Sequence, residues 1–356
     1  MRIVLMVLCW LAAMPAFAQV PLMTFEAYPP DPKVVHLSGN AWTINASGSI
    51  DTDAGKRLER LLNDKRVPGH SMVFLDSPGG DPAGAMRLGR IIRKRNLVTY
   101  VGQQRRNSSE IKAGKCFSAC ALAFLGGDYR YLPDGSQYGV HRFSVSKGST
   151  GDLGAAQVAW AAITEYIRSM DVDTKLFSIA AQTHERDIAV LPRAVLEHLN
   201  VINNGIKKTE WSIETLGPGM YLKGQRETVD GMGKFMLLCP PSRELTLQLI
   251  FDPQGRADEA MKLPAQALLI DGKPFFIERY AIYRSIVNGW INAVYSVDDE
   301  MLRLIQDAKT VGFALSRAKE DPLFLGFDGM PMSGALSKLP GFLAVCGKTT
   351  NKSTAR

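Results

Sequence analysis

Three short segments carry groups that can do chemistry together. Ser77-Pro78-Gly79-Gly80 lies between an apolar run and a helical pattern, and paired glycines there let backbone N–H groups approach a ligand closely. Cys116-Phe117-Ser118-Ala119-Cys120 opens a short apolar helical stretch. The Ser118 hydroxyl and the Ala119 N–H then face one space at a helix N-terminus, which favours developing negative charge. Gly139-Val140-His141 ends a strand-like stretch and brings an imidazole that titrates near neutral pH. A hydroxyl, an imidazole and convergent N–H groups are the parts of acyl transfer through a serine. Taken singly, each has a plainer use: an ordinary turn at Gly79-Gly80, an N-cap at Ser118, a structural strand histidine at His141.

The elements that must position these groups alternate strand and helix. Residues 35–50 alternate apolar and polar and end near Gly48, a strand pattern. Asp51 reads as the N-cap of a helix over 52–65 with Leu58, Leu61 and Leu62 on one face. A buried strand at Ser71–Leu75 leads to the diglycine loop. A helix with Ala85, Leu88, Ile91 and Ile92 at helical spacing runs to about Asn96, and Leu97–Val101 is the next strand. A helix over 118–126, strands at 130–132 and 138–142, helices over 152–170 and 192–199, and a strand around Val201 continue the pattern. This rhythm predicts an α/β fold with largely parallel pairing.

The character changes after about 205. Residues 205–232 are Gly-rich and polar and read as a linker. From 233 to 347, short apolar stretches such as Phe235–Leu238, Leu245–Phe251, Ala267–Ile270, Phe275–Ile277 and Phe342–Val345 alternate with turn signals. They predict a mainly β, sandwich-like second domain, with a helix or longer strands around 284–306. Residues 19–34 read as an extended lead-in and 348–356 as a flexible tail.

At 356 residues, 46% hydrophobic and 22% charged, the chain has room for two domains and is neither disordered, collagenous nor a polytopic membrane protein. The formal charge of +7 is mild and dispersed, which argues against nucleic acid as a partner. Met1-Arg2, an apolar run from Ile3 to Ala13 and Ala16-Phe17-Ala18 match a signal peptide over 1–18. Export to the periplasm or beyond is the expectation, with no transmembrane helix after cleavage. Of the five cysteines, Cys9 leaves with the leader. The other four allow three pairings, and their clustering favours Cys116–Cys120 and Cys239–Cys346. The latter closes a loop of 107 residues and contributes roughly 4–5 kcal/mol on a loop-entropy argument.

The order Gly-Gly, Ser, His resembles the Clp protease proteolytic subunit (ClpP) and its crotonase-like superfamily, over about Trp42 to Asn204. The likeness is carried by Gly48-Ser49-Ile50-Asp51, Asp76-Ser77-Pro78-Gly79-Gly80, and Tyr131-Leu132-Pro133 leading to Gly139-Val140-His141. It is closer still to exported bacterial ClpP-like proteins in which two cysteines flank the serine. The resemblance implies a ClpP/crotonase-like domain over 35–204, with Ser118 as nucleophile and His141, 23 residues on, as base. It places the orienting acid in Glu185-Arg186-Asp187, at Asp187, 46 residues after the histidine; Glu185, Asp173 or a Ser–His dyad are the alternatives. The oxyanion donors carry over to Gly79, Gly80 and Ala119. The helix over 152–170 corresponds to the family's handle helix, which helps build oligomers, so Trp160 and Tyr166 fit either a second copy or the domain's own core. Two departures stand out. Residues 103–115 form an insertion with Arg105, Arg106, Lys112 and Lys115, and Phe117 and Ala119 replace the family's small or Met residues around the serine.

Other chemistries fit less well. Ser109-Glu110-Ile111-Lys112 matches S-x-x-K, but S-D-N and K-T-G are absent, as is G-x-S-x-G. There is no Walker A or G-x-G-x-x-G loop, and the five histidines lack metal-site spacing. A Ser118 dyad with Lys112 or Lys115 is less suited than the pair with His141, and a coenzyme A hydratase conflicts with export. The expectation is an exported serine peptidase acting on peptide or protein without metal or cofactor. The competing class is a catalytically inactive binding protein of the cell envelope on the same fold.

Overall fold

The computed structural model describes residues 20–31, 40–106, 108, 110–142, 153–242 and 244–347; the expected leader and the tail from 348 lie outside them. The chain folds as two compact units that divide between Asn204 and Gly205. The first is mixed α/β and the second mainly β. Among the described residues no helix is long and apolar enough to cross a membrane.

The strands of the first unit are, in chain order, β1 (Thr24–Tyr28), β2 (Thr43–Ser47), β3 (Met72–Asp76), β4 (Val98–Val101), β5 (Gln103–Gln104), β6 (Ile111–Lys112), β7 (Lys115–Phe117), β8 (Arg130–Tyr131), β9 (Gln137–Val140) and β10 (Ala189–Val190). β2, β3, β4 and β8 form a parallel sheet, and β1 adds an antiparallel edge beside β2. The expected lead-in is therefore partly a strand. Val73, Phe74 and Leu75 are all buried, as a central parallel strand covered on both faces requires.

The crossovers are the helices Ala54–Asp64 and Pro82–Lys94. The first buries Ala54, Leu58 and Leu62, one turn apart. It starts later than expected, with Asp53 rather than Asp51 at its N-cap. The Asp51 carboxylate accepts instead from the Asp53 N–H at 2.8 Å and from Arg57 Nη1 at 3.0 Å. The second helix has Pro82 in its first turn and Asp81 as N-cap, accepting from the Gly84 N–H at 2.6 Å. Val201 does not form a strand; it is buried in the turn after helix Arg193–His198.

A second, three-stranded sheet has the order β10-β9-β7, with β7 parallel to β9 and β10 antiparallel to it. The two sheets meet where Ser77, just past β3, bridges Cys116. The 103–115 insertion forms the β5–β6 hairpin. Asn45 Nδ2 donates to the Gln104 carbonyl at 2.8 Å, Gln103 Nε2 donates to Asp76 Oδ2 at 2.8 Å, and the Arg106 guanidinium lies 5.9 Å from the Tyr28 ring. Its contacts thus run to β1, β2 and the end of β3. In helix Leu153–Ser169 the two aromatic residues part: Tyr166 is buried, and Trp160 is exposed beside Val158.

Arg130 is the largest fully buried polar side chain of this unit. Its guanidinium donates to the carbonyls of Leu125, Gly127, Met170, Asn200 and Val201. Burial lowers its pKa to about 10, which leaves it charged at neutral pH. Two of these carbonyls, with that of Gly126, also accept from Arg93. Cations at this point complement the C-terminal end of helix Ala119–Phe124.

The second unit contains β11 (Glu210–Leu216), β12 (Gly219–Thr228), β13 (Gly231–Cys239), β14 (Thr246–Phe251), β15 (Ala265–Ile270), β16 (Lys273–Phe276), β17 (Ala281–Val287), β18 (Trp290–Ser296), β19 (Thr310–Ser316) and β20 (Leu325–Pro331). They form a six-stranded antiparallel sheet, β11-β12-β13-β14-β18-β17, and a four-stranded one, β16-β15-β19-β20. The inner faces share one core, with Phe313 edge-to-face against Phe251 and Tyr295 at 6.0 Å each. The 205–232 segment is thus no linker. β11 and β12 pair through a two-residue turn in which Gly217 has φ +56°. The region 284–306 resolves into strands and the helix Asp299–Asp307, and Phe342–Val345 lies in the helix Leu339–Val345 rather than in a strand. Cys239 is bonded to Cys346 and Cys116 to Cys120. The first of these bonds joins the end of β13 to the end of that helix.

Replacing Arg130 with Met takes its donor from the Met170, Asn200 and Val201 carbonyls, while those of Leu125 and Gly127 keep Arg93. We expect urea unfolding to show a loss of about 3 kcal/mol or more, recovered only in part by Arg130→Lys, whose donors sit on one atom. A loss under roughly 1 kcal/mol contradicts this role.

Candidate functional site

β7 ends at Phe117 and the helix Ala119–Phe124 begins at Ala119, so Ser118 alone makes the turn from strand to helix. It does so with φ +56° and ψ −124°, a left-handed conformation that costs a non-glycine residue roughly 1–3 kcal/mol. The surroundings enforce it. The Phe117 N–H donates to the Ser77 carbonyl at 3.1 Å, the Ser118 N–H to the Gly139 carbonyl at 3.0 Å, and the Ala121 N–H to the Ser118 carbonyl at 2.9 Å. The Ser118 hydroxyl makes no side-chain cap hydrogen bond to the helix.

That hydroxyl meets His141. Its Oγ lies 2.6 Å from Nε2 of the imidazole, and both residues are half-buried. The parallel pairing of β7 with β9 sets Phe117 opposite Gly139, which carries the serine and, two residues on, the histidine past the same end of the small sheet.

The returning chain brackets the imidazole. The Arg142 N–H donates to the Thr183 carbonyl at 3.0 Å, and Ala189 pairs with Val140, so the turn over 184–188 lies alongside His141. Burial pushes the His141 pKa down, while a hydrogen bond to the Glu185 backbone and the Glu185 carboxylate push it up, with burial prevailing. Asp187 sits exposed on the same turn, its N–H donating to the His184 carbonyl at 3.0 Å. Among the described residues its carboxylate makes no hydrogen bond to His141. Among the described residues the acid whose charge bears on the ring is Glu185. Asp173 accepts instead from the Lys175 N–H at 2.8 Å.

The diglycine bend is pressed against the serine. A Cβ on Gly79 would lie 2.7 Å from Ser118 Cβ and 3.1 Å from the Ala119 nitrogen, and one on Gly80 would lie 2.1 Å from the Ile50 carbonyl oxygen. Both have positive φ, +112° and +138°. Their N–H groups have different fates. That of Gly79 donates to Ser77 Oγ at 3.1 Å and is spent. Gly80 bridges Ile50 through its neighbours: the Ile50 N–H donates to the Gly79 carbonyl and the Asp81 N–H to the Ile50 carbonyl. The Gly80 N–H therefore points away from Ile50. The Ala119 N–H is the first of its helix and has no intrahelical acceptor. Among the described residues neither of these two N–H groups donates elsewhere. Gly79 thus supplies the close approach to Ser118.

Ser77 is the residue that the spacing of motifs does not single out. Its signal was the serine-turn habit of bonding the N–H two residues on. Asp76 is a second: its Oδ1 accepts from the Lys115 N–H at 3.0 Å and so anchors the start of β7 to β3. Lys112 and Lys115 are exposed, and the Lys115 ammonium lies 5.9 Å from the Phe117 ring. No family model and no curated protein matches the chain.

A base with a depressed pKa stays neutral to lower pH. Reaction of Ser118 with a fluorophosphonate should therefore rise along one ionisation centred below the usual imidazole value of about 6.5 and be flat above it. Glu185→Gln removes a raising influence and should move the midpoint further down; Asp187→Asn should leave it in place. The reverse pattern would restore Asp187 as the partner acid.

Proposed function

We propose that this chain is an exported serine peptidase on a ClpP/crotonase-like domain, working through an acyl-enzyme on Ser118. The observation that carries the reading is the Ser118 Oγ–His141 Nε2 contact of 2.6 Å at a one-residue strand-to-helix turn. A solitary serine hydroxyl is a weak nucleophile; an adjacent neutral imidazole removes its proton as it attacks. In the proposed sequence Nε2 takes the Ser118 proton while Oγ bonds to the peptide carbonyl carbon. The carbonyl oxygen becomes an oxyanion between the Gly80 and Ala119 N–H groups, each donor contributing about 2.7–4 kcal/mol. The imidazolium, stabilised by Glu185, returns its proton to the departing amine, and water then repeats the cycle on the acyl-serine.

The order of diglycine, serine and histidine supports the fold assignment, as does the parallel sheet whose central strand delivers the diglycine bend. Two disulfides fit an oxidising compartment, in keeping with the leader-like Met1–Ala18.

A fluorophosphonate should label the purified protein on Ser118. Ser118→Ala should abolish labelling, and His141→Ala should slow it by about 10²–10⁴-fold. A wild-type protein that takes no label between pH 6 and 9 is instead a binding protein that kept the fold without turnover.

A further inference from the structure

Cys116 and Cys120 stand two residues before and two after Ser118, with Cα atoms 5.1 Å apart and a disulfide between them. Both are fully buried. Cys116 is part of the small sheet, opposite Tyr138 of β9 and bridged to Ser77. Cys120 is the second residue of the helix whose first N–H is the Ala119 donor. The bond therefore ties the wall that carries His141 and the diglycine bend to the wall that carries Ala119, across the serine.

Relying on the reading of Ser118 as nucleophile, we propose that Cys116 and Cys120 are positioning residues whose disulfide holds Ser118 in its left-handed conformation, so that the site is assembled only in the oxidised chain. A serine prefers negative φ, and relaxing Ser118 toward an extended continuation of β7 would carry residues 116 and 120 about 13 Å apart at 3.3 Å per residue. A disulfide spans no more than about 7 Å, so that relaxation is closed to the oxidised chain. The helix Ala119–Phe124 has six residues, fewer than a helix needs to persist by itself, so its first turn depends on what ties it to its surroundings. Where a strand turns into a helix around a single nucleophile, the residues two before and two after it are crowded together and are commonly glycine. Here two cysteines use that proximity for a covalent clamp.

The test compares C116A/C120A with C239A/C346A, which loses the other disulfide, in the full chain. The readouts are the fluorophosphonate labelling rate below the unfolding transition and the kinetics on a short peptide ester. We expect labelling and kcat of C116A/C120A to fall at least tenfold with KM within twofold of wild type, while C239A/C346A melts earlier but labels at the wild-type rate. A C116A/C120A rate within twofold of wild type overturns the clamp and leaves the peptidase reading intact.

If C116A/C120A does not fold, the C239A/C346A chain is unfolded and refolded with dithiothreitol present. The dithiol supplies two electrons and two protons, the Cys116–Cys120 S–S bond breaks to two thiols, and the reagent closes to its cyclic disulfide. Labelling should be lost and should return on reoxidation; an unchanged rate overturns the proposal. If the wild type takes no label, the nucleophile reading fails by itself. The clamp is then judged by hydrogen exchange over residues 115–121: at least tenfold faster exchange without the disulfide supports it, and equal exchange overturns it.

Discussion

The hydrogen bond between Ser118 and His141 joins two segments that meet only because β7 lies parallel to β9. Everything near the site serves that contact. β3 runs beyond the main sheet to bridge Cys116 through Ser77, Asp76 fixes the first residue of β7, and Gly139 accepts the Ser118 N–H. The price is a serine with positive φ. A backbone in a sparsely populated region persists only where its neighbours over-determine it, and here sheet pairing, helix and disulfide all converge on one residue.

The electrostatics follow from partial burial. The imidazole is sheltered enough to remain neutral, and Glu185, on the exposed turn beside it, supplies a charge that strengthens when the ring takes a proton. A fully buried acid would have resisted ionisation itself. Against the serine the diglycine bend contributes close approach at Gly79 and, in the proposed reaction, a donor at Gly80. Ser77 makes that division by absorbing the Gly79 N–H, which in the proposed reaction leaves the Gly80 and Ala119 groups to meet developing charge.

Much of the first unit was legible because its signals are local. Leu58 and Leu62, or Leu88 and Ile92, sit one helical turn apart and are buried as that spacing predicts, and the unbroken Val73-Phe74-Leu75 run marks a central strand. The serine–histidine pair was legible through the order of motifs. What escaped depended on partners distant in sequence. β1 is a strand only because β2 lies beside it. β11 exposes much of its length and β12 buries only Leu222 and Gly224 fully, so their composition resembles a linker although their pairing does not. Phe342–Val345 is too short for periodicity to tell helix from strand. Which of Glu185 and Asp187 bears on the ring turns on how the 184–188 turn faces, which residue types alone do not encode.

The central claim is that the hydroxyl of residue 118 reacts within a preformed cradle of N–H groups. A crystal structure of the phosphonylated protein tests it most directly. The account predicts phosphorus on Ser118 Oγ, with one phosphonyl oxygen about 2.7–3.1 Å from both the Gly80 and Ala119 nitrogens and His141 beside the bond. An adduct on another residue, or a Ser118 adduct whose oxygens all face solvent, would contradict it.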